Sequence, residues 1–257
     1  MNHPNRLALL VTLLFVILLV ALLMNTLAQE YHWGYAGETG PSRWGEISAD
    51  FALCADGSAQ SPIDISDATE LVDLVDIEFN YSDTATHVFN NGHTIQVDVD
   101  EGSSIIYNGI RYNLLQFHFH HPSEHTLNGV AAAMEIHFVH QDPNSGTLAV
   151  VGILLNEGER DNEAYAAVFN HLPTEAGKSE TARNSLSLAA LLPERRTFFT
   201  YQGSLTTPPC SEIVRWLLLD SAIALSAAQI EAFASIYPGN ARPTQPLGRR
   251  DLLLDAQ

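Results

Sequence analysis

The stretch Gln116-Phe-His-Phe-His-His-Pro-Ser-Glu-His125 decides how this chain folds. In an extended strand successive side chains alternate between two faces, so residues two apart share one. His118 and His120 then project together, and Phe117 and Phe119 point the other way. The rings seek a core and the imidazoles can share a metal. A turn at Asn128-Gly129 follows, and Ala132-Ala-Met-Glu-Ile-His137-Phe-Val-His140 returns. If the two segments pair antiparallel, His137 supplies a third imidazole, with Glu135 and Val139 on its face. Three neutral imidazoles leave one tetrahedral position of a zinc ion open for water, which marks a catalytic site rather than a structural one. Zinc acidifies that water and makes hydroxide available at neutral pH. Imidazole suits other divalent metals as well. His140 lies one residue out of phase and reads as a group behind the ligands or at the surface. His121 interrupts the alternation and is expected to face away from the metal. His32, His87 and His171 belong to no motif and read as ordinary polar positions.

Outward from this pair the chain reads as short strands. Thr94-Ile-Gln-Val-Asp-Val99 alternates apolar and polar residues, the pattern of a half-buried strand. Ser104-Ile-Ile-Tyr107 and Ile110-Arg-Tyr112 flank Asn108-Gly109, a dipeptide that favours the type I′ turn of a hairpin. Leu148 to Leu155 is almost continuously apolar, as in a central strand buried on both faces. Helical signals are fewer. The segment from Asp161 to Leu172 predicts a short surface helix with Tyr165, Val168, Phe169 and Leu172 on one side. Ser226-Ala-Ala-Gln229 is a capping box that opens a helix through Ile236, stopped before Pro238-Gly239. The fold class is mainly β with a few peripheral helices. Without repeats, low-complexity tracts or a Ser/Gly-rich linker, residues 29–257 read as one domain.

Arg6 precedes an apolar run from Leu7 to Met24 that only Thr12 interrupts, and Thr26-Leu-Ala28 places small residues at −3 and −1 of a cleavage site. Those features define a secretory signal over residues 1–28. The run is also long enough to serve as an uncleaved membrane anchor. Either way the remainder is exported, to a periplasmic or extracellular space. Cys54 and Cys210 are the only two cysteines. In an oxidising compartment they read as one bridge, with two buried free thiols as the alternative. The net charge of −18, from 30 acidic and 12 basic residues, argues against a nucleic-acid partner and against docking on anionic lipid. Membrane contact is then expected only through an uncleaved N-terminus. No sequence signal specifies an oligomer.

Together these residues resemble the α-carbonic anhydrase family, from His32-Trp-Gly-Tyr35 to Arg242-Pro-Thr-Gln-Pro246. Beyond the histidine strand the resemblance rests on Gln60-Ser-Pro-Ile-Asp64, Asn90-Asn-Gly-His93, Ser123-Glu-His125 with Glu135-Ile-His137, and Tyr201-Gln-Gly-Ser-Leu-Thr-Thr-Pro-Pro209. The short His121-Pro-Ser123 connection and the cysteine pair resemble bacterial members. The resemblance implies a large central, mostly antiparallel twisted sheet, with zinc at the bottom of a conical cleft. It implies zinc-dependent reversible hydration of carbon dioxide to bicarbonate and a proton. His118, His120 and His137 would bind Zn2+. Thr206 would accept a hydrogen bond from the zinc-bound hydroxide and donate its own proton to Glu124.

Further roles follow from the same resemblance. Gln116, Glu135 and the carbonyl of Asn240 would orient His118, His137 and His120, fixing the tautomer and raising ligand basicity. His93 would shuttle the proton to solvent, as an imidazole with a near-neutral pKa suits. Tyr35, Asn91 and Gln96 would hold the connecting waters, although the family often has Asn where Gln96 stands. Val139, Val150, Leu205, Val214 and Trp216 would form an apolar carbon dioxide pocket, with Thr206 and Thr207 beside it. A Cys54–Cys210 bridge would pin the Thr206 loop, and Ser61-Pro62 and Pro208-Pro209 are candidates for the family's cis bonds. Two other readings compete. A silent member acting as a binding module typically lacks a zinc histidine, and here all three are present. An ester hydrolase would use the same hydroxide, but the apolar pocket favours carbon dioxide.

Overall fold

The structure is a computed structural model that describes residues 31–66 and 70–255. The expected signal or anchor segment, residues 1–28, lies outside the described residues. Among those described, no helix is long and apolar enough to cross a membrane.

Twelve strands form one mixed sheet. In chain order they are β1 (Glu70–Val72), β2 (Glu78–Asn80), β3 (His87–Asn90), β4 (Ile95–Asp98), β5 (Ser104–Tyr107), β6 (Ile110–His120), β7 (Met134–Gln141), β8 (Leu148–Gly158), β9 (Ser179–Thr181), β10 (Phe198–Gly203), β11 (Val214–Ser226) and β12 (Leu253–Asp255). Across the sheet they run β9-β3-β4-β6-β7-β8-β11-β10-β12-β1, with β5 pairing β6 and β2 off this path. The β8–β11 and β12–β1 pairs are parallel, and the others are antiparallel.

The strand expected from the histidine stretch is longer than the motif and is shared. Its first half closes a hairpin with β5, where Asn108 and Gly109 take φ of 48° and 75°, as the type I′ turn requires. Its second half pairs β4 on one side and β7 on the other. Between the halves the β7 register steps from Gln116 to Leu114, so Leu115 is an extra, exposed residue. Such a bulge reverses the parity of the strand. Tyr112 and Leu114 face the core before it, and Phe117 and Phe119 face the core after it. The bulge therefore turns His118 and His120 to the opposite face.

That core lies on one side of the sheet. Val97, Phe117, Phe119, Ile136, Phe138, Val151 and Ile153 are fully buried there. The cover comes from the one-turn helix Ala166–Phe169, the 3-10 turn Leu188–Leu191 and the helix Ala227–Ala234. The last opens on the expected capping box, with Ser226 Oγ accepting from Gln229 N and the Gln229 side chain accepting from Ser226 N. It ends at Ala234, short of Ile236. The helix expected over Asp161–Leu172 shrinks to Ala166–Phe169. Asn162 ties its N–H to Gln229 and its side chain to Ala224 and Ala164, so the preceding residues cannot enter the helix. The expected face is right nonetheless, since Tyr165, Val168 and Phe169 are buried.

The expected placement of His140 is corrected. It lies neither behind the ligands nor at the surface. It shares the Phe138 face of β7, fully buried, with Nε2 2.8 Å from Tyr81 Oη and Nδ1 3.2 Å from the Ala149 carbonyl. His121 does face away, against the Pro238 carbonyl. Cys54 and Cys210 are joined across 156 residues and sit in a small cluster with Trp44. Ser61-Pro62 and Pro208-Pro209 are cis, and so is His121-Pro122.

Candidate metal centre

On the face opposite the main core, His137 stands in register with His118, and Glu135 with His120. The pairing brings one nitrogen from each of His118, His120 and His137 within 4.8 Å of the others. The remaining nitrogen of each ring is already held. His118 Nδ1 is 2.9 Å from Gln116 Oε1, His120 Nδ1 is 2.7 Å from the Asn240 carbonyl, and His137 Nε2 is 2.8 Å from Glu135 Oε1. Each acceptor takes a ring N–H, which leaves a lone pair on His118 Nε2, His120 Nε2 and His137 Nδ1. Burial holds the His118 and His137 imidazoles below their usual pKa and lowers His120 to about 4, so all three are neutral near pH 7.

Those lone pairs fit a metal. His120 Nε2 is buried without a hydrogen-bond partner, and so is Glu124 Oε2, 3.5 Å from it and 3.9 Å from His137 Nδ1. A second grouping, His125, Glu135 and His137, has equally close atoms. Its contacts are hydrogen bonds among the three residues, which leave no lone pair directed at a common centre.

Two buried carboxylates support the imidazoles. Glu135 receives four hydrogen bonds: His125 Nδ1 at 2.7 Å and His137 Nε2 on Oε1, and the N–H groups of Glu124 and His125 at 2.9 and 2.8 Å on Oε2. Burial alone would raise its pKa, but the two imidazoles outweigh it and hold the group well below the usual carboxylate range. Gly152 faces His137 in β8, and a Cβ there would come 3.1 Å from Glu135 Oε1 and 2.9 Å from Leu218 Cδ1. Glycine is what lets the carboxylate sit against the strand. Glu124 accepts from Arg242 N at 2.9 Å and interacts with the Thr206 hydroxyl. Burial raises its pKa to about 7, against the pull of His137, Thr206 and Arg242.

The other predicted site residues fall into two groups around the histidines. Val150, Val214 and Trp216 are buried in one apolar cluster, with Val139 and Leu205 packed on it. Trp216 sets its ring edge-on to His137 and donates Nε1–H to the Ser204 carbonyl. On the other side a cavity of about 170 Å³ is lined by Tyr35, Asn91, His93, Gln96, His118 and Thr207, among others. Asn91 Oδ1 accepts from the N–H groups of His93 and Thr94, and its Nδ2 donates to Gln96 Oε1. Burial raises the Tyr35 pKa well above its usual value, so that hydroxyl keeps its proton. The bridge reaches the same loop, because Cys210 N donates to the Thr207 carbonyl at 2.8 Å.

Several supporting residues have no role in the sequence reading. Trp33 stacks flat on His93, with ring centroids 3.7 Å apart. The buried Arg242 guanidinium donates to Gln60 Oε1 and to the Ser61 and Cys54 carbonyls, anchoring the main chain that binds Glu124. His125 contacts Tyr201 Oη, which reaches Ser61 Oγ, so the Gln60 and Tyr201 motifs meet behind the histidine cluster. Gly152 alone carried a local signal, as a lone glycine in an apolar strand.

The sequence matches the family model for eukaryotic-type carbonic anhydrase over residues 39–255. A carbonic anhydrase from Nostoc sp. is 42% identical over 238 residues, covering 89% of this chain and 88% of that protein. One from Pectobacterium carotovorum is 39% identical over 223 residues, covering 86% of this chain and 90% of that protein. The solved α-carbonic anhydrase of Thermovibrio ammonificans, in complex with the inhibitor sulfanilamide, superposes with a TM-score of 0.84 at 40% identity, covering 87% of this chain and 99% of that one. The chain belongs to the eukaryotic-type, or α-class, carbonic anhydrase family and is an enzyme of that kind.

Proposed function

We propose that this enzyme hydrates carbon dioxide reversibly at a zinc ion held by His118, His120 and His137, and that His93 carries the product proton to solvent. One observation carries the reading. Three neutral imidazoles present lone pairs to a common point while an acceptor holds the far nitrogen of each. Zinc in such a three-nitrogen site supplies hydroxide at neutral pH.

The chain's own residues do the rest. Glu124 accepts the Thr206 hydroxyl proton, which turns the Thr206 oxygen into an acceptor facing the reacting oxygen and orients it. Val139, Val150, Leu205, Val214 and Trp216 give the small, uncharged substrate an apolar wall from which water gains nothing by entering. Tyr35, Asn91 and Gln96 hold waters on the polar side, and His93 takes the proton at the cleft margin. Residues 29–257 form the catalytic domain, and residues 1–28 export it, as signal or anchor. The Cys54–Cys210 bridge supports an oxidising, extracytoplasmic location.

Stopped-flow hydration of carbon dioxide tests this, with zinc-loaded and metal-stripped enzyme beside His118→Ala. Fast hydration that disappears on stripping and in the variant is expected. A folded, zinc-containing protein without hydration activity would overturn it.

A further inference from the structure

Asn240 makes more contacts than a ligand-orienting carbonyl needs. It is fully buried, and all of its polar groups are used. Its carbonyl accepts from His120 Nδ1, its N–H donates to the His121 carbonyl at 3.0 Å, and its Oδ1 accepts from His121 N at 2.8 Å. Its Nδ2 donates twice, to the Phe119 carbonyl at 3.0 Å and to the His93 carbonyl at 3.1 Å. The carboxamide cannot be reversed, because its NH2 would then meet an N–H and its oxygen two carbonyls. One side chain thus joins the peptide between His118 and His120 to the backbone of His93, 147 residues away.

The place of this link matters. The β4–β6 ladder runs from Asp98 opposite Gln116 to Gln96 opposite His118. The Asn91–Thr94 turn projects past that last pair. Within itself the turn is braced, since Asn91 Oδ1 holds two of its N–H groups and Asn90 Oδ1 holds Gly92 N. Tyr237 Oη binds Asn90 Oδ1 at its start and Trp33 stacks on the His93 ring, but neither contact ties it to the strand bearing His118 and His120. Beyond the ladder, Thr94 Oγ1 and Asn240 Nδ2 both bind the Phe119 carbonyl, and Asn240 adds His93.

We propose that the Asn240 carboxamide, with the Thr94 hydroxyl as a second tie, is a positioning residue for proton export: it fixes the His93 turn relative to the strand bearing His118 and His120. This rests on the reading of His93 as the shuttle. Proton export follows conversion of the substrate, so a misplaced shuttle lowers kcat and spares kcat/KM. Displacements near 1 Å are enough to slow a transfer strongly.

The test uses zinc-loaded Asn240→Asp, Thr94→Val, His93→Ala and the Asn240→Asp/His93→Ala double variant. Asn240→Asp keeps the carbonyl for His120 and an acceptor for His121 N, and loses the paired donors. Thr94→Val preserves shape and decides the matter if Asn240→Asp does not fold. The expected result is a fall in kcat of about tenfold in Asn240→Asp and a smaller one in Thr94→Val, with zinc content and kcat/KM retained. Added imidazole buffer restores kcat, and the double variant is no slower than His93→Ala. In metal-free protein, nuclear Overhauser contacts between the His93 turn and the Phe119–His120 stretch weaken in both single variants. Unchanged kcat in Asn240→Asp and Thr94→Val beside a slow His93→Ala overturns the positioning role alone. A parallel loss of kcat/KM and zinc reduces Asn240 to a structural part and also overturns it. An unimpaired His93→Ala overturns the shuttle reading, and the proposal with it.

Discussion

Glu135→Gln preserves the shape of a carboxylate with four hydrogen bonds and alters its charge and its donor pattern. Two main-chain N–H groups face Oε2, and two ring N–H groups face Oε1. A carboxamide offers one oxygen, so its NH2 must confront one of these pairs. The main-chain donors cannot change, whereas the imidazoles can. The NH2 therefore turns to His125 and His137, and each ring is relieved only by moving its proton to the other nitrogen. For His137 that nitrogen is Nδ1, the atom directed at His118 and His120.

Hydrogen bonds to a charged acceptor contribute about 1.5–3 kcal/mol each, so losing two destabilises the metal-free fold by about 3–6 kcal/mol before the rings adjust. The adjustment recovers part of this at the expense of the ligand, and zinc affinity falls about 10- to 100-fold. Urea unfolding of metal-free protein measures the first quantity, and chelator competition for zinc measures the second. Stability within about 0.5 kcal/mol of the parent, with affinity unchanged, would refute the four-donor account of Glu135.

Three further outcomes are expected. Replacing both Cys54 and Cys210 by Ser frees a loop with a sequence separation of 156 and costs up to about 5 kcal/mol of chain entropy. It also loosens the turn at Thr207, so both melting temperature and kcat should fall, and unchanged values would separate the bridge from the Thr206 loop. His140 is buried neutral with its pKa lowered from 6.5 to about 4. The unfolded chain then binds more protons between those values, so stability declines as pH falls from 6.5 to 4, by about 3 kcal/mol in all. His140→Asn should flatten that stretch of the urea-midpoint profile, and an identical slope would exclude His140 as its source. Phe119 packs its ring on Phe117, Tyr165, Phe169 and Phe233. Phe119→Ala should cost about 3–5 kcal/mol in urea unfolding and lower hydration through its neighbours His118 and His120, and a cost below about 1 kcal/mol would contradict that packing.

What could be read from the chain was local. Period-2 alternation placed His118 with His120, and the Asn108-Gly109 and Ser226–Gln229 signals fixed a hairpin and a helix start, because each is set by residues a few positions apart. Alternation failed where a non-local partner imposed the register. The Leu115 bulge exists because β7 pairs both halves of β6, and nothing near Leu115 announces it. His140 was misplaced, behind the ligands or at the surface, for the same reason, since its partner Tyr81 lies 59 residues away. The ligands' supporting groups divide likewise. Gln116 and Glu135 sit two residues from the rings they hold and Asn240 is 120 residues from His120; all three roles came through resemblance, and only Glu135 had local support, as a residue sharing a strand face with His137.

The two buried glutamates show why residue type within a motif does not settle its chemistry. Glu135 has four donors and is driven well below the carboxylate range, and Glu124 has the Arg242 N–H and the Thr206 hydroxyl and rises to about 7. Both are fully buried, so the surroundings decide between them: the His125 and His137 imidazoles outweigh burial at Glu135, whereas burial prevails at Glu124. Glu135 is thus a permanent acceptor for His137. Glu124 is poised, and its orphaned Oε2 faces His120 and His137 at 3.5 and 3.9 Å. A cation held by those rings would draw the Glu124 proton off and complete the acceptor that Thr206 needs. Metal binding and orientation of the Thr206 hydroxyl would then be coupled through Glu124.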